Sequence, residues 1–305
     1  MDTRTGSPRG RLQRSWAWVD ALRGGLREQV DGVVDAALGE EVRGRLARLP
    51  LRGGSEGVDP FGFDPQVARY AVVAARALYR DWFRAEVFGL ENVPDGRVLL
   101  IANHSGQVPL DGMAIACALL LDRDPPRFVR SMVEKWSATL PWVSTFFSRC
   151  GQIVGVPENC ERLLAMEEAI LVFPEGSRGI SKPFRQRYQL QEFGLGFLRL
   201  ALATGTPVVP VALVGAEEQY LSVANLTPLA KVLGMPAFPV LPQLLLPGGF
   251  LPLPVRYRLH FGPPMRFTGD PDDEDHVLEE KVAVVRGTIQ SMLNRGRKDR
   301  PGIFT

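Results

Sequence analysis

Val98-Leu99-Leu100-Ile101-Ala102-Asn103-His104-Ser105-Gly106-Gln107-Val108-Pro109-Leu110-Asp111-Gly112 is the stretch from which the rest of the chain can be read. Five apolar residues that run straight into a polar, glycine-containing turn read as a short buried strand. His104 then stands just beyond the strand end, where sites of α/β folds collect. Further runs of this type are expected as strands at Arg127–Met132, Gln152–Val154, Ala169–Phe173, Val208–Val214 and Arg256–Phe261. Helical patterns at Gly112–Leu121, Pro157–Ala165 and Gly194–Thr204 separate them. Strands alternating with helices argue for an α/β domain built around a sheet.

Upstream the texture differs. Residues 1–14 carry Arg4, Arg9, Arg11 and Arg14 against Asp2 alone, and are read as a disordered basic arm suited to anionic lipid. Residues 15–85 are read as a helical membrane-associating module. Its first helix shows apolar periodicity from Trp16 to Leu38 within Ser15–Leu49. Its second is expected from the N-cap Asp64 and the first-turn Pro65 to about Arg84. Both helices are amphipathic, so each faces either the core or a lipid surface. Residues 86–305 form the expected catalytic domain. Within it, Leu226–Pro254 is Leu-rich and broken by seven prolines, so it cannot be one regular element. It reads as a membrane-facing flap or as an irregular cover on the sheet. A last helix is expected over Asp275–Leu293.

Bulk properties narrow the class. The chain has 305 residues, 45% of them hydrophobic, enough for one sizeable core. A formal charge of +2 gives no argument for a nucleic-acid partner. Cys117, Cys150 and Cys160 are odd in number and lack metal-ligand spacing, so neither a disulfide framework nor a metal centre is expected. With no apolar run long enough to span a bilayer, membrane contact is expected to be peripheral or monotopic, on the cytoplasmic face.

The chemistry rests on two turns. Neutral imidazole is suited to take a hydroxyl proton near pH 7. A carboxylate on the other ring nitrogen, here Asp111, would fix the tautomer. The second turn, Phe173-Pro174-Glu175-Gly176-Ser177-Arg178-Gly179, follows another apolar run and sets a guanidinium suited to forked phosphate contact beside a carboxylate.

Together these turns resemble the paired motifs of the glycerolipid acyltransferase superfamily, N-H with a following Asp and F-P-E-G-[ST]-R. Val208-Val209-Pro210-Val211 resembles a further block of that family, and Phe88-Gly89-Leu90-Glu91-Asn92-Val93-Pro94 its lead-in. The resemblance covers Val87 to about Phe267 and is nearest the monoacylglycerol and diacylglycerol acyltransferase-like branch, which shares the N-H-S-G start. It implies a mixed, mostly parallel central sheet flanked by helices, with the N-terminal helix pair appended. It also implies an O-acyltransferase with His104 and Asp111 as the catalytic pair and Glu175, Gly176, Ser177 and Arg178 around the acceptor. The donor would be acyl-CoA or an acyl carrier protein acting as co-substrate, with no cofactor, and the acceptor a glycerolipid or lysophospholipid. The sequence departs from the family in three places. Six residues separate His104 from Asp111 where four are familiar, Gly151–Val156 lacks the usual Arg, and Phe193-Gly194-Leu195-Gly196 lacks the usual Lys.

Lys182, Arg185 and Arg187 are read as phosphate or coenzyme contacts or as a solvated basic loop. Gly106 and Gly176 are candidate backbone donors to an oxyanion or plain turn residues. Trp136, Leu140, Trp142, Phe146 and Phe147 would suit an acyl groove or the core. Three rival readings use the same residues: thioester hydrolysis by His104, a metal site built from His104, Asp111 and Glu175, and a non-catalytic lipid-binding scaffold.

Overall fold

The computed structural model describes residues 8–50, 57–106, 108, 110–133, 142–232 and 237–305, with side chains for all of these except 8–23, 227 and 231. Nine strands are present among them: β1 Glu86–Phe88, β2 Val98–Ala102, β3 Val129–Val133, β4 Ile153–Val154, β5 Ala169–Val172, β6 Val208–Val214, β7 Ala224–Asn225, β8 Pro239–Val240 and β9 Arg258–Phe261. Seven form one sheet in the order β1-β9-β6-β2-β5-β3-β4, and β7 pairs with β8 separately. Within the large sheet only β6 and β9 pair antiparallel. The sheet is therefore mixed and mostly parallel.

Burial explains the strand pattern. All five residues of β2 and all seven of β6 are buried, as expected of parallel strands covered on both faces. Val98, Leu100 and Ala102 point into one core, with Tyr79, Phe83, Ile115 and Leu119. Leu99 and Ile101 point into the other, with Leu163, Leu164, Phe197, Leu198 and Leu278. The flanking helices are α1 Pro8–Ala47, α2 Pro65–Ala77, α3 Leu110–Cys117, α4 Pro157–Ala165, α5 Gly196–Thr204 and α6 Asp275–Lys298.

α2 begins as read: the Asp64 carboxylate accepts from the backbone N–H of Gln66 at 2.9 Å and of Val67 at 3.4 Å. It continues as a wide turn over Leu78–Trp82. α1 begins earlier than expected. Where the composition of 1–14 suggests a disordered basic arm, the helix already starts at Pro8, since proline suits the first helical turn and Arg, Leu and Gln are good helix formers. Residues 1–7 lie outside the described residues, as do the side chains of Trp16 and Trp18. Farther along, Leu38 and Val42 are buried in the same core as Tyr79 and Val98, while Arg69 of α2 holds Asp31 and Asp35 of α1 at 2.5 and 2.9 Å. The segments 15–85 and 86–305 therefore share one core. Leu26, Val30 and Val33 stay exposed on α1.

Strand order places the site. β2 lies between β5 and β6, with Ile101 opposite both Val172 and Pro210. The chain leaving β2 crosses to β3 on one side, whereas the chain leaving β5 crosses to β6 on the other. Such a switch point opens a crevice at the carboxyl ends of the strands, and the turns after β2 and β5 meet there.

Candidate active site

His104 Nδ1 lies 2.8 Å from Asp111 Oδ2. The six-residue interval does not separate them, because the loop folds back and α3 presents Asp111 in its first turn. Asp111 is wholly buried and its oxygens are occupied: Oδ2 also accepts from Ser105 N at 2.8 Å, and Oδ1 from Gly112 N at 2.7 Å. A carboxylate fixed by backbone donors cannot swing away from the ring. The imidazole stacks on Phe173, ring centroids 4.1 Å apart. Nε2 is then the nitrogen left for a substrate.

Glu175 has a different place from the acceptor contact expected. It is 1% exposed. Its Oε1 accepts from the His104 backbone N–H at 3.0 Å, while Oε2 accepts from Gln191 N at 2.7 Å and faces Lys182 Nζ at 3.4 Å. The residue ties the turn after β5 to the turn after β2. Lys182, expected toward a ligand phosphate, is likewise internal: its ammonium sits between Glu175 and Glu217, the latter at 3.1 Å. A buried cation needs such partners, which is why it faces inward. Burial pushes the Glu217 carboxyl up to about 7, against the opposing pull of Lys182 and the Tyr188 N–H.

Arg178 lies at the surface, with Glu192 Oε2 at 2.9 Å and the Glu192 carbonyl at 3.2 Å. The pair is 54% and 79% exposed, so it is weak and solvent-screened. Ser177 opens the single helical turn Ser177–Ile180. Gly176 has φ 56°, and its N–H already donates to Phe173 O at 3.0 Å. That bond makes Gly176 a turn residue rather than an oxyanion donor. Gly179 is required by close approach: a Cβ there would meet His104 Cβ at 2.7 Å.

Three positioning residues escaped the sequence reading. Asn103 binds both the N–H and the carbonyl of Leu213, at 2.8 and 3.2 Å, anchoring the end of β2 to β6. Gln219 donates from Nε2 to the carbonyls of Gly106 and Val108 at 2.9 and 3.1 Å. Its own Oε1 accepts from Tyr257 at 2.5 Å. Gln191 closes the circuit on Glu175. Their signal in the sequence is slight, since each partner is remote along the chain. Among the apolar residues proposed for a groove, Trp136 and Leu140 lie outside the described residues. Trp142 is 88% exposed and Phe146 48%, so neither is core.

Beside the Gly106–Val108 loop lies an apolar surface. Leu244, Leu245, Leu246, Phe250 and Leu251 are exposed, as are Leu221, Val223 and Val108. The segment is nonetheless anchored: Tyr220 OH donates to Phe250 O at 2.8 Å, and Leu221 N to Gln243 Oε1 at 3.0 Å. No described helix is long and apolar enough to cross a membrane. No group of three or more His, Cys, Asp or Glu among the described residues is placed to hold a metal ion.

The model of the family described as Acyltransferase matches residues 84–214, the interval that holds both turns and β2 to β6. An uncharacterized protein of Mycobacterium leprae is 39% identical over 256 residues, covering 81% of this chain and 70% of that protein. The mouse "DGAT1/2-independent enzyme synthesizing storage lipids" is 21% identical over 217 residues, covering 71% and 62%. The crystal structure of the 1-acyl-sn-glycerophosphate acyltransferase of Thermotoga maritima matches with a TM-score of 0.48 and 18% identity, over 78% of this chain and 80% of that one. The chain belongs to the acyltransferase family, within the glycerolipid acyltransferase superfamily, and is an acyltransferase enzyme.

Proposed function

We propose that the enzyme moves a fatty acyl group from an acyl thioester of coenzyme A or of an acyl carrier protein onto a glycerolipid or lysophospholipid hydroxyl, with His104 as general base. The observation that carries this is the 2.8 Å contact between His104 Nδ1 and a fully buried Asp111. With Nδ1–H held by the carboxylate, Nε2 is the base. It takes the acceptor's hydroxyl proton as the oxygen attacks the thioester carbonyl. The carbonyl oxygen becomes an oxyanion, and Asp111 stabilises the imidazolium. On collapse the C–S bond breaks, the ester remains, and the leaving sulfur takes the proton from Nε2. No covalent enzyme intermediate is required.

Glu175 keeps the loop carrying His104 in place, and Arg178 is available at the surface to exchange the exposed Glu192 for a phosphate of acceptor or donor. The enzyme sits on the membrane as a peripheral or monotopic protein on its cytoplasmic face in this reading; the exposed apolar segment beside the His104 loop supports the membrane contact, from which a lipid acceptor reaches the crevice. Likeness to the mouse enzyme that synthesises storage lipids supports a lipid acceptor.

The test is a panel of lysophosphatidate, other lysophospholipids, monoacylglycerol and diacylglycerol with labelled acyl-CoA or acyl carrier protein. The expected product is the acylated lipid. Release of free fatty acid at one rate with or without acceptor would instead identify a thioester hydrolase.

A further inference from the structure

Behind Lys182, the loop Arg185–Leu190 faces helix α6 across a cavity of about 530 Å³, within the range of small-ligand sites. Arg185 and Arg187 line one wall, and Arg286 and Arg297 of α6 the other, with Gln189 and Asn294 beside them. Among the described residues no Asp or Glu lines it. The nearby carboxylates are largely engaged elsewhere: Glu217 by Lys182, and Glu218 by a two-pronged contact with Arg300, with Arg187 Nε at a longer 4.0 Å from Glu218 Oε1. Four guanidinium groups around one concavity repel each other, and an anion between them would remove that repulsion.

The walls are fixed in advance. Phe184 N donates to Ser222 O at 2.7 Å and Tyr188 N to Glu217 at 2.8 Å. Across the gap, Gln290 accepts from Leu190 N at 3.2 Å and donates to Tyr188 O at 2.8 Å. Arg286 donates to the carbonyls of Leu190 and Gln191 at 2.9 and 3.0 Å. Arg297 lies over the Tyr188 ring and Arg187 over Phe184, at 4.7 and 4.4 Å. Guanidinium planes held by carbonyls and rings keep their remaining N–H groups in a fixed fork, the arrangement that suits phosphate oxygens.

We propose that this cavity is a second binding site, for the phosphate groups of a small polyanion such as the phosphorylated nucleotide end of a coenzyme donor or a glycerophosphate headgroup. Its link to acyl transfer rests on the function proposed above; the anion site itself does not.

Calorimetric titration of the full chain with adenosine 3′,5′-bisphosphate, glycerol 3-phosphate and inorganic phosphate tests it without any thioester. At least one organophosphate should bind with 1:1 stoichiometry, and whichever binds more tightly identifies the source. Binding should weaken by about tenfold or more in Arg185→Ala/Arg297→Ala and in Asn294→Asp, each keeping the wild-type melting temperature. It should fall with added salt, and persist in Lys298→Ala and His104→Ala. Absence of binding by both organophosphates, or binding indifferent to the two cavity variants, overturns the proposal. Loss of acyl transfer with every donor and acceptor while this binding persists would overturn the functional reading alone.

Discussion

The turn after β2 and the segment from Leu221 to Leu251 treat polarity in opposite ways. In and around the first, Asn103, Asp111, Glu175 and Gln219 are buried, none more than 2% exposed, and hydrogen bonds hold each of them. In the second, Leu245, Phe250 and Leu246 are 88%, 71% and 65% exposed. A polar group is buried only where its partners are in place, so the first region is a fixed frame around one imidazole. Apolar side chains exposed together mark a surface that meets something apolar. In the function proposed above, the first region performs the chemistry and the second is the surface that would meet lipid.

The first way to break this contrast is to disturb the frame. His104→Ala is expected to lower acyl transfer by about 10²–10⁴-fold. Asp111→Asn should be severe, since an amide can hold the wrong tautomer. Both should keep the wild-type circular dichroism. His104→Ala should also keep the melting temperature, whereas Asp111→Asn should lower it, because its NH2 must face the buried N–H of Ser105 or Gly112. Normal turnover by either folded variant would contradict the mechanism. The second region should respond elsewhere. Leu245→Ser/Phe250→Ser should reduce flotation with phospholipid vesicles by about tenfold or more, because each apolar side chain returned to water forfeits about 1.5–3 kcal/mol. Turnover on a short, soluble acceptor should change little. Unchanged flotation would assign this surface another partner.

A smaller effect sharpens the frame's electrostatics. Burial raises Glu217 from 4.5 to about 7, so the folded protein holds this proton more tightly than the unfolded chain. Its contribution to stability is fully present below pH 4.5 and is lost as pH rises through about 7. Glu217→Gln should flatten the decline in melting temperature across that window; an identical slope would show that another group sets it. The smallest change is expected at exposed Arg178. Arg178→Lys should raise KM for the phosphate-bearing substrate by a few-fold, with kcat retained, as a point charge replaces a fork. A change in kcat alone would give it another role.

The sheet was legible because β2 and β6 are apolar at every position but Pro210, a pattern few other environments produce. Strand starts were less so: the strands expected from Arg127 and Arg256 begin at Val129 and Arg258, since Arg127 N and Arg256 N donate outside the sheet, to Leu119 O and Ile303 O. His104 and Asp111 were legible as a motif. Lys182 was misread because its partners, Glu175 and Glu217, lie 7 and 35 residues away, while its neighbours Arg178, Arg185 and Arg187 suggest a solvated loop. Arg286 and Arg297 could not be joined to that loop without the path of α6. Leu226–Pro254 was readable as irregular, but its exposure depends on what the fold leaves uncovered.

Whether His104 and Asp111 act as one unit is the claim on which the account turns, and a double-mutant cycle measures it directly. Acyl transfer is assayed for His104→Ala, Asp111→Asn and the combined variant, each with wild-type circular dichroism. A carboxylate that serves only to orient and stabilise the imidazole has nothing left to do once the ring is gone. The combined variant should therefore be no slower than His104→Ala alone. Losses that multiply would contradict the account, showing that Asp111 acts on the reaction independently of His104.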